Sequence, residues 1–192
     1  MADGVTLPVR TLTSEAFAPY GRVLGRPERS HDAEGPGWQW WAETVVIDGD
    51  DRSWGVGYLE LQPAEPRFDW AERHLRTLEA VIPVSGDCLL YVGPADHLDE
   101  PDRLPSLDRF HVFAVPAGSG VVLDRGVWHG APLADGAPAR AVVLILEGTG
   151  REDVTVVRFA ATPVAIETSS RKNVESAADG GLETGRHEED HI

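Results

Sequence analysis

The chain has 192 residues, 42% of them hydrophobic, with 32 acidic against 17 basic side chains and a formal charge of −15. That length and apolar content suit one domain with its own core, and the negative charge argues against nucleic acid as a partner because it repels phosphate backbones. The single cysteine, Cys88, excludes an intrachain disulfide, and no apolar run approaches the ~18 residues of a membrane span, so the expectation is a cytoplasmic protein with no membrane partner.

In chain order, Thr13-Ser14-Glu15-Ala16-Phe17 predicts a short helix. Thr13 or Ser14 can cap it, an acid sits in its first turn, and Pro19 with Gly21 stops it early. Residues 27–37 are rich in Gly, Pro and charge and read as a loop. Trp38-Gln39-Trp40-Trp41 follows, then the strand-like Thr44-Val45-Val46-Ile47 and the turn signal Asp48-Gly49-Asp50-Asp51. From Ser53 to Arg158 short apolar runs recur between turns, at 54–61, 77–84, 88–92, 110–115, 120–123, 141–146 and 154–159. None has the length or 3.6-residue period of a long helix, and residues 69–75 make at most one helical turn. Repeated strands at this spacing predict a sandwich, barrel or jelly roll. Cys88 opens one of these runs and reads as a buried core thiol. Ala165 to Ile192 holds seven acids, three basic residues and no aromatic. The expected domain therefore spans 1–162, with 163–192 as an acidic, polar, flexible tail.

Two constellations carry chemistry. The first is Glu72-Arg73-His74, then Glu79, then Gly86. His74 and Glu79 are five apart, so a straight strand would place them on opposite faces. A turn at Leu75-Arg76 would let them converge. The second is Gly118-Ser119-Gly120, then Asp124-Arg125-Gly126-Val127-Trp128-His129, where a glycine-punctuated turn delivers His129 to a strand start.

These spacings resemble the two sequence motifs of the cupin superfamily. His74, four residues, Glu79, six residues and Gly86 fit the first motif, with Glu72 standing where the leading histidine belongs. Gly118, five residues, Asp124, one residue, Gly126, two residues and His129 fit the second, with Asp124 in place of proline. The resemblance implies an all-β double-stranded β-helix, the cupin jelly roll, with a short N-terminal helix. Two imidazoles and a carboxylate from His74, His129 and Glu79 suit a divalent first-row metal such as Ni, Mn, Zn or Fe. The plainer alternative is that both histidines are hydrogen-bonded barrel-lining residues holding no metal.

More narrowly, the chain resembles the ureidoglycolate lyase family. The likeness rests on Leu12-Thr13-Ser14-Glu15-Ala16-Phe17-Ala18-Pro19-Tyr20-Gly21, on Glu72-Arg73-His74 followed by Ala80-Val81-Ile82-Pro83, and on Val127-Trp128-His129 followed by Pro132-Leu133. It implies a carbon–nitrogen lyase of purine and allantoin catabolism that splits ureidoglycolate, a small molecule, into glyoxylate and urea, and it implies a homodimer. It further implies Glu72, His74 and His129 as catalytic groups and Arg73 or Arg125 as the clamp on a substrate carboxylate. Glu79 departs from the family, which often carries glutamine there, and the tryptophans at 38, 40 and 41 have no counterpart. Both leave open another metal-dependent cupin enzyme, an oxygenase or isomerase, or a non-catalytic small-molecule-binding cupin. His111 reads as a half-buried strand residue, and His97 and His31 as loop residues.

Overall fold

Runs of β-branched and aromatic residues cut by Gly, Pro and Asp give sixteen strands in the computed structural model, which describes residues 4–48, 51–159 and 163–168. In chain order they are β1 (Thr6–Thr11), β2 (Gly21–Leu24), β3 (Ala33–Gly35), β4 (Trp38–Trp40), β5 (Trp54–Leu61), β6 (Arg67–Phe68), β7 (Trp70–Arg73) and β8 (Glu79–Ser85). There follow β9 (Cys88–Gly93), β10 (His111–Val115), β11 (Gly120–Leu123), β12 (Trp128–His129), β13 (Leu133–Ala134), β14 (Ala139–Leu146), β15 (Thr155–Arg158) and β16 (Val164–Glu167). Helix α1 (Ser14–Phe17) precedes β2, and α2 (Thr149–Glu152) joins β14 to β15.

Five strands form one antiparallel sheet in the order β2-β11-β8-β14-β5. A larger sheet runs β15-β7-β12-β9-β10-β1-β16-β6, with β13 also on β9. Only Asp69 separates β6, at one end of this path, from β7, next to the other end, so the sheet curls back on itself. Two curved sheets facing each other across a filled interior make the jelly roll that the sequence spacing implied.

The alternation along β9 shows where the core lies. Leu90 and Val92 face the space between the sheets with Phe17, Val81, Phe113, Val121 and Leu123. Leu89 and Tyr91 face the other way, into a second cluster with Phe68, Phe110, Val112, Trp128 and Val164. A strand buried on both faces needs no polar alternation, which is why 88–92 is uniformly apolar. Cys88 is fully buried, as expected, and burial pushes its thiol up to about 11. Helix α1 is capped by Thr13, whose Oγ1 accepts the Ala16 N–H at 3.1 Å, and it drives Phe17 into the inter-sheet core.

Three expectations are corrected. Thr44–Ile47 is not a strand; Val45 and Ile47 instead lie without ladder bonds on the outer face of the five-stranded sheet, against Leu78, Ala80 and Val122. Residues 69–75 are not a helical turn but hold β7, which is paired on both sides by β15 and β12. The folded region also runs past 162, because β16 pairs with β1 and β6 and buries Val164 and Ile166. The rest of the expected tail, 169–192, lies outside the described residues.

Candidate active site

β7 ends at Arg73 and β8 begins at Glu79, so residues 74–78 carry the chain from the large sheet to the small one. This crossing removes the parity conflict between His74 and Glu79, because the two are not on one strand. Within the large sheet, the register pairs His129 on β12 with Glu72 on the neighbouring β7. Glu79 shares its face of β8 with Val81, which lies in the inter-sheet core. The four side chains therefore enter the same interior from facing sheets.

Glu79 Oε2 lies 3.2 Å from His74 Nε2 and 3.2 Å from His129 Nε2. Ligand atoms of Glu72, His74 and His129 lie within 4.8 Å of one another. His74 Nδ1–H donates to the Asp153 carbonyl at 2.8 Å, and His129 Nδ1–H donates to the Val127 carbonyl at 3.0 Å. A carbonyl can only accept, so both Nδ1 atoms carry protons and both Nε2 atoms face inward. Backbone carbonyls thus fix the tautomer in the way that partners of metal-bound histidines do.

The electrostatics have the same origin. Burial alone would raise the Glu79 carboxyl, but the His129 and His74 imidazoles outweigh it and hold Glu79 down to about 2. Burial alone would lower His129, yet the Glu79 carboxylate raises it above its usual range. The cluster therefore demands positive charge, which protons on the imidazoles or a divalent cation can supply. The donor set, two imidazole nitrogens facing a shared carboxylate oxygen and a second carboxylate beside them, fits a first-row divalent metal.

The expectation that Arg73 clamps a substrate carboxylate does not hold. Arg73 is 1% exposed, and its guanidinium donates to the carbonyls of Pro101, Asp96, His97 and Glu100 at 3.2, 2.7, 2.9 and 2.9 Å. It also stacks on Trp128 at 4.5 Å. Its neighbours Glu72 and His74 turn inward, whereas Arg73 staples the 96–101 loop and has its donors committed there. Arg125 sits in the turn that abuts His74, where Gly126 N–H donates to the His74 carbonyl at 2.7 Å, and its own Nε–H donates to the Arg76 carbonyl at 3.0 Å. Gly126 makes that turn possible: its φ is +81°, and a Cβ there would meet Leu98 at 2.6 Å.

Sequence reasoning missed Asp153. Its carboxylate accepts the Leu75 and Arg76 backbone N–H groups at 3.0 and 2.8 Å, while its carbonyl holds His74. It pins the crossing that delivers His74, and nothing in the local sequence around it signals that task. The tryptophan segment forms the hairpin β3–β4. There Trp38 lies against Gly35, and Trp41 Nε1–H donates to the Arg29 carbonyl at 2.9 Å. None of these three rings contacts the His/Glu cluster. A groove of about 630 Å³ lies at the far end of the barrel, lined by Val9, Leu12, Asp87, Pro116, Asp135 and Thr168. It contains no imidazole and is remote from the cluster.

A jelly roll with two imidazoles and two carboxylates converging in its interior is a cupin with a metal-type pocket. The family model for ureidoglycolate lyase matches residues 5–167, and the chain belongs to that family. It is 33% identical to a ureidoglycolate lyase of Rhodobacter capsulatus, over 75% of this chain and 88% of that protein. It is 31% identical to a ureidoglycolate lyase of Brucella anthropi, over 85% and 96%. Among solved structures, a dTDP sugar isomerase from Desulfovibrio desulfuricans G20 aligns with a TM-score of 0.46 at 16% identity, covering 74% of this chain and 88% of that one.

Proposed function

We propose that the chain is a lyase that splits ureidoglycolate into glyoxylate and urea. The observation that carries the reading is the meeting of His74, His129, Glu79 and Glu72 in the barrel of a chain of this family. In the reaction the hydroxyl O–H bond and the carbon–nitrogen bond break, a carbonyl forms at the same carbon, and the departing nitrogen gains a proton. One proton leaves an oxygen and one reaches a nitrogen, so a single group that takes and returns a proton balances the step.

Glu72 is assigned that role. It is half-buried, lies beside both imidazoles, and its carboxylate makes no hydrogen bond among the described residues. His74, Glu79 and His129 are assigned as the ligands of a divalent cation. When bound, such a cation polarises a substrate oxygen and stabilises negative charge on it. The walls around the cluster shield it, since His74 and His129 are 6% and 3% exposed.

In this reading the protein works in the cytoplasm, in the breakdown of purine-derived allantoin, as a homodimer. The exposed edge strand β5 supports the last point: it carries Val56 and Tyr58 outward at 72% and 60% exposure, with no partner strand on its far side among the described residues. The test is release of glyoxylate from ureidoglycolate by purified protein supplied in turn with Ni, Mn, Zn and Fe(II). Glyoxylate formation with at least one metal supports the assignment, and none with any of them removes it.

A further inference from the structure

We infer that Tyr20 and His111 form a second binding element inside the same barrel, one that receives the carboxylate end of the substrate. The inference rests on the lyase reading and adds the residues that orient the substrate. Tyr20 Oη and His111 Nδ1 share a hydrogen bond of 2.6 Å, and their rings meet edge to face at 5.7 Å. Tyr20 belongs to the inter-sheet core and packs on Phe113, so the pair sits on the interior face.

The register relates this pair to the cluster. His111 on β10 is opposite Val92 on β9, Val92 is opposite His129 on β12, and His129 is opposite Glu72 on β7. The four residues form one row across the sheet on one face. Two strand spacings separate the backbones of His111 and His129, about 10 Å. Side chains along the row face the same barrel interior, so the pair and the cluster lie on one inward face.

Donor counting shows what the pair offers. Burial and the Arg10 charge push His111 below its ordinary value, and burial raises Tyr20, so both are neutral near pH 7. A neutral imidazole and a phenol hold two donors between them, and their mutual hydrogen bond uses one. Whichever way that bond runs, one N–H or O–H remains, and the half-buried His111 is open to a ligand. The remaining donor suits an oxygen acceptor.

Charge decides which end of the substrate goes there. The opposite end of the row holds Glu72, with Glu79 near it on the facing sheet, and both repel an anion, whereas Arg10 and Arg109 place positive potential on Tyr20. The two arginines that the sequence offered as clamps do not supply this contact: Arg73 is committed to four carbonyls, and Arg125 Nε–H is held by Arg76. A substrate lying along the row with its carboxylate toward Tyr20 and His111 puts its carbinol carbon toward Glu72.

The test uses the full-length, metal-loaded protein and the variants His111→Phe and Tyr20→Phe, the second of which keeps the ring packing and removes only the hydroxyl. KM for ureidoglycolate is expected to rise about tenfold or more, with kcat changed by less than about threefold. Competitive inhibition by glycolate is expected to weaken by a similar factor, while inhibition by glycolamide, which lacks the charged carboxylate, stays within about twofold. An unchanged KM, or equal weakening of both inhibitors, overturns the inference; the first result places the carboxylate on the cation instead. If wild type fails to turn over ureidoglycolate, the lyase reading falls. Calorimetric binding of glycolate against glycolamide to wild type and Tyr20→Phe then still decides the role of the pair.

Discussion

Glu79→Gln removes one charge and little volume from the centre of the site, so its consequences can be worked from the structure. Glu79 Oε2 faces both imidazole Nε2 atoms at 3.2 Å. The carboxyl falls from 4.5 to about 2 on folding. At ~1.4 kcal/mol per pH unit, this corresponds to about 3 kcal/mol of stabilisation as an upper estimate. The sign follows from the direction. A depressed carboxyl stabilises above its unfolded value, so the contribution is complete above about pH 4.5 and fades as pH falls toward about 2. His129 is raised, so its share is complete below its unfolded value near 6.5 and fades as pH rises through its raised value. Metal-free wild type is therefore expected to be most stable between these limits. Urea denaturation of chelator-treated protein at pH 5.5 should show Glu79→Gln weaker by about 2–3 kcal/mol, with the gap closing as pH is lowered toward 3. Equal stability at pH 5.5, or a gap that does not change with pH, refutes the charge argument.

Asp153→Ala leaves the Leu75 and Arg76 amides without their acceptor, and is expected to cost about 1–3 kcal/mol and to weaken metal retention about tenfold by competition with a chelator; unchanged metal affinity contradicts its positioning role. Arg73→Met strands four loop carbonyls, so chemical denaturation should register a loss of about 2–4 kcal/mol; a loss below about 1 kcal/mol would show that the staple matters little. Tyr58→Glu places a charge on the exposed edge strand and is expected to turn a dimer into a monomer in sedimentation velocity, whereas a wild type that is already monomeric removes the β5 interface.

The fold was legible because its strands carry strong local signals. The run 54–61 matches β5 and 120–123 matches β11 residue for residue, and Thr13 caps α1 as its side chain allows. The strands that escaped notice are short, such as β6 and β13, or depend on distant partners. Val164–Glu167 looks like the head of a polar tail until β1 supplies its ladder. Val45 and Ile47 show the reverse case, with strand-like composition but no neighbouring strand to pair. At the site, spacing was enough to single out His74, Glu79, His129 and Glu72, because motif spacing encodes the crossing between sheets. It could not say where arginines point. Arg73 lies between two inward residues, yet its direction is set by carbonyls more than twenty residues away. Asp153 and the Tyr20–His111 pair join segments separated by 79 and 91 residues, contacts with no trace in local pattern.

The central claim is that the His74–Glu79–His129 cluster, with Glu72 beside it, cleaves ureidoglycolate. Urea and glyoxylate should be quantified together from the metal-supplied wild type and from His74→Ala and His129→Ala. The expected result is equal amounts of both products from wild type and none above background from either variant. Product formation that survives in both variants, or urea without matching glyoxylate, contradicts it.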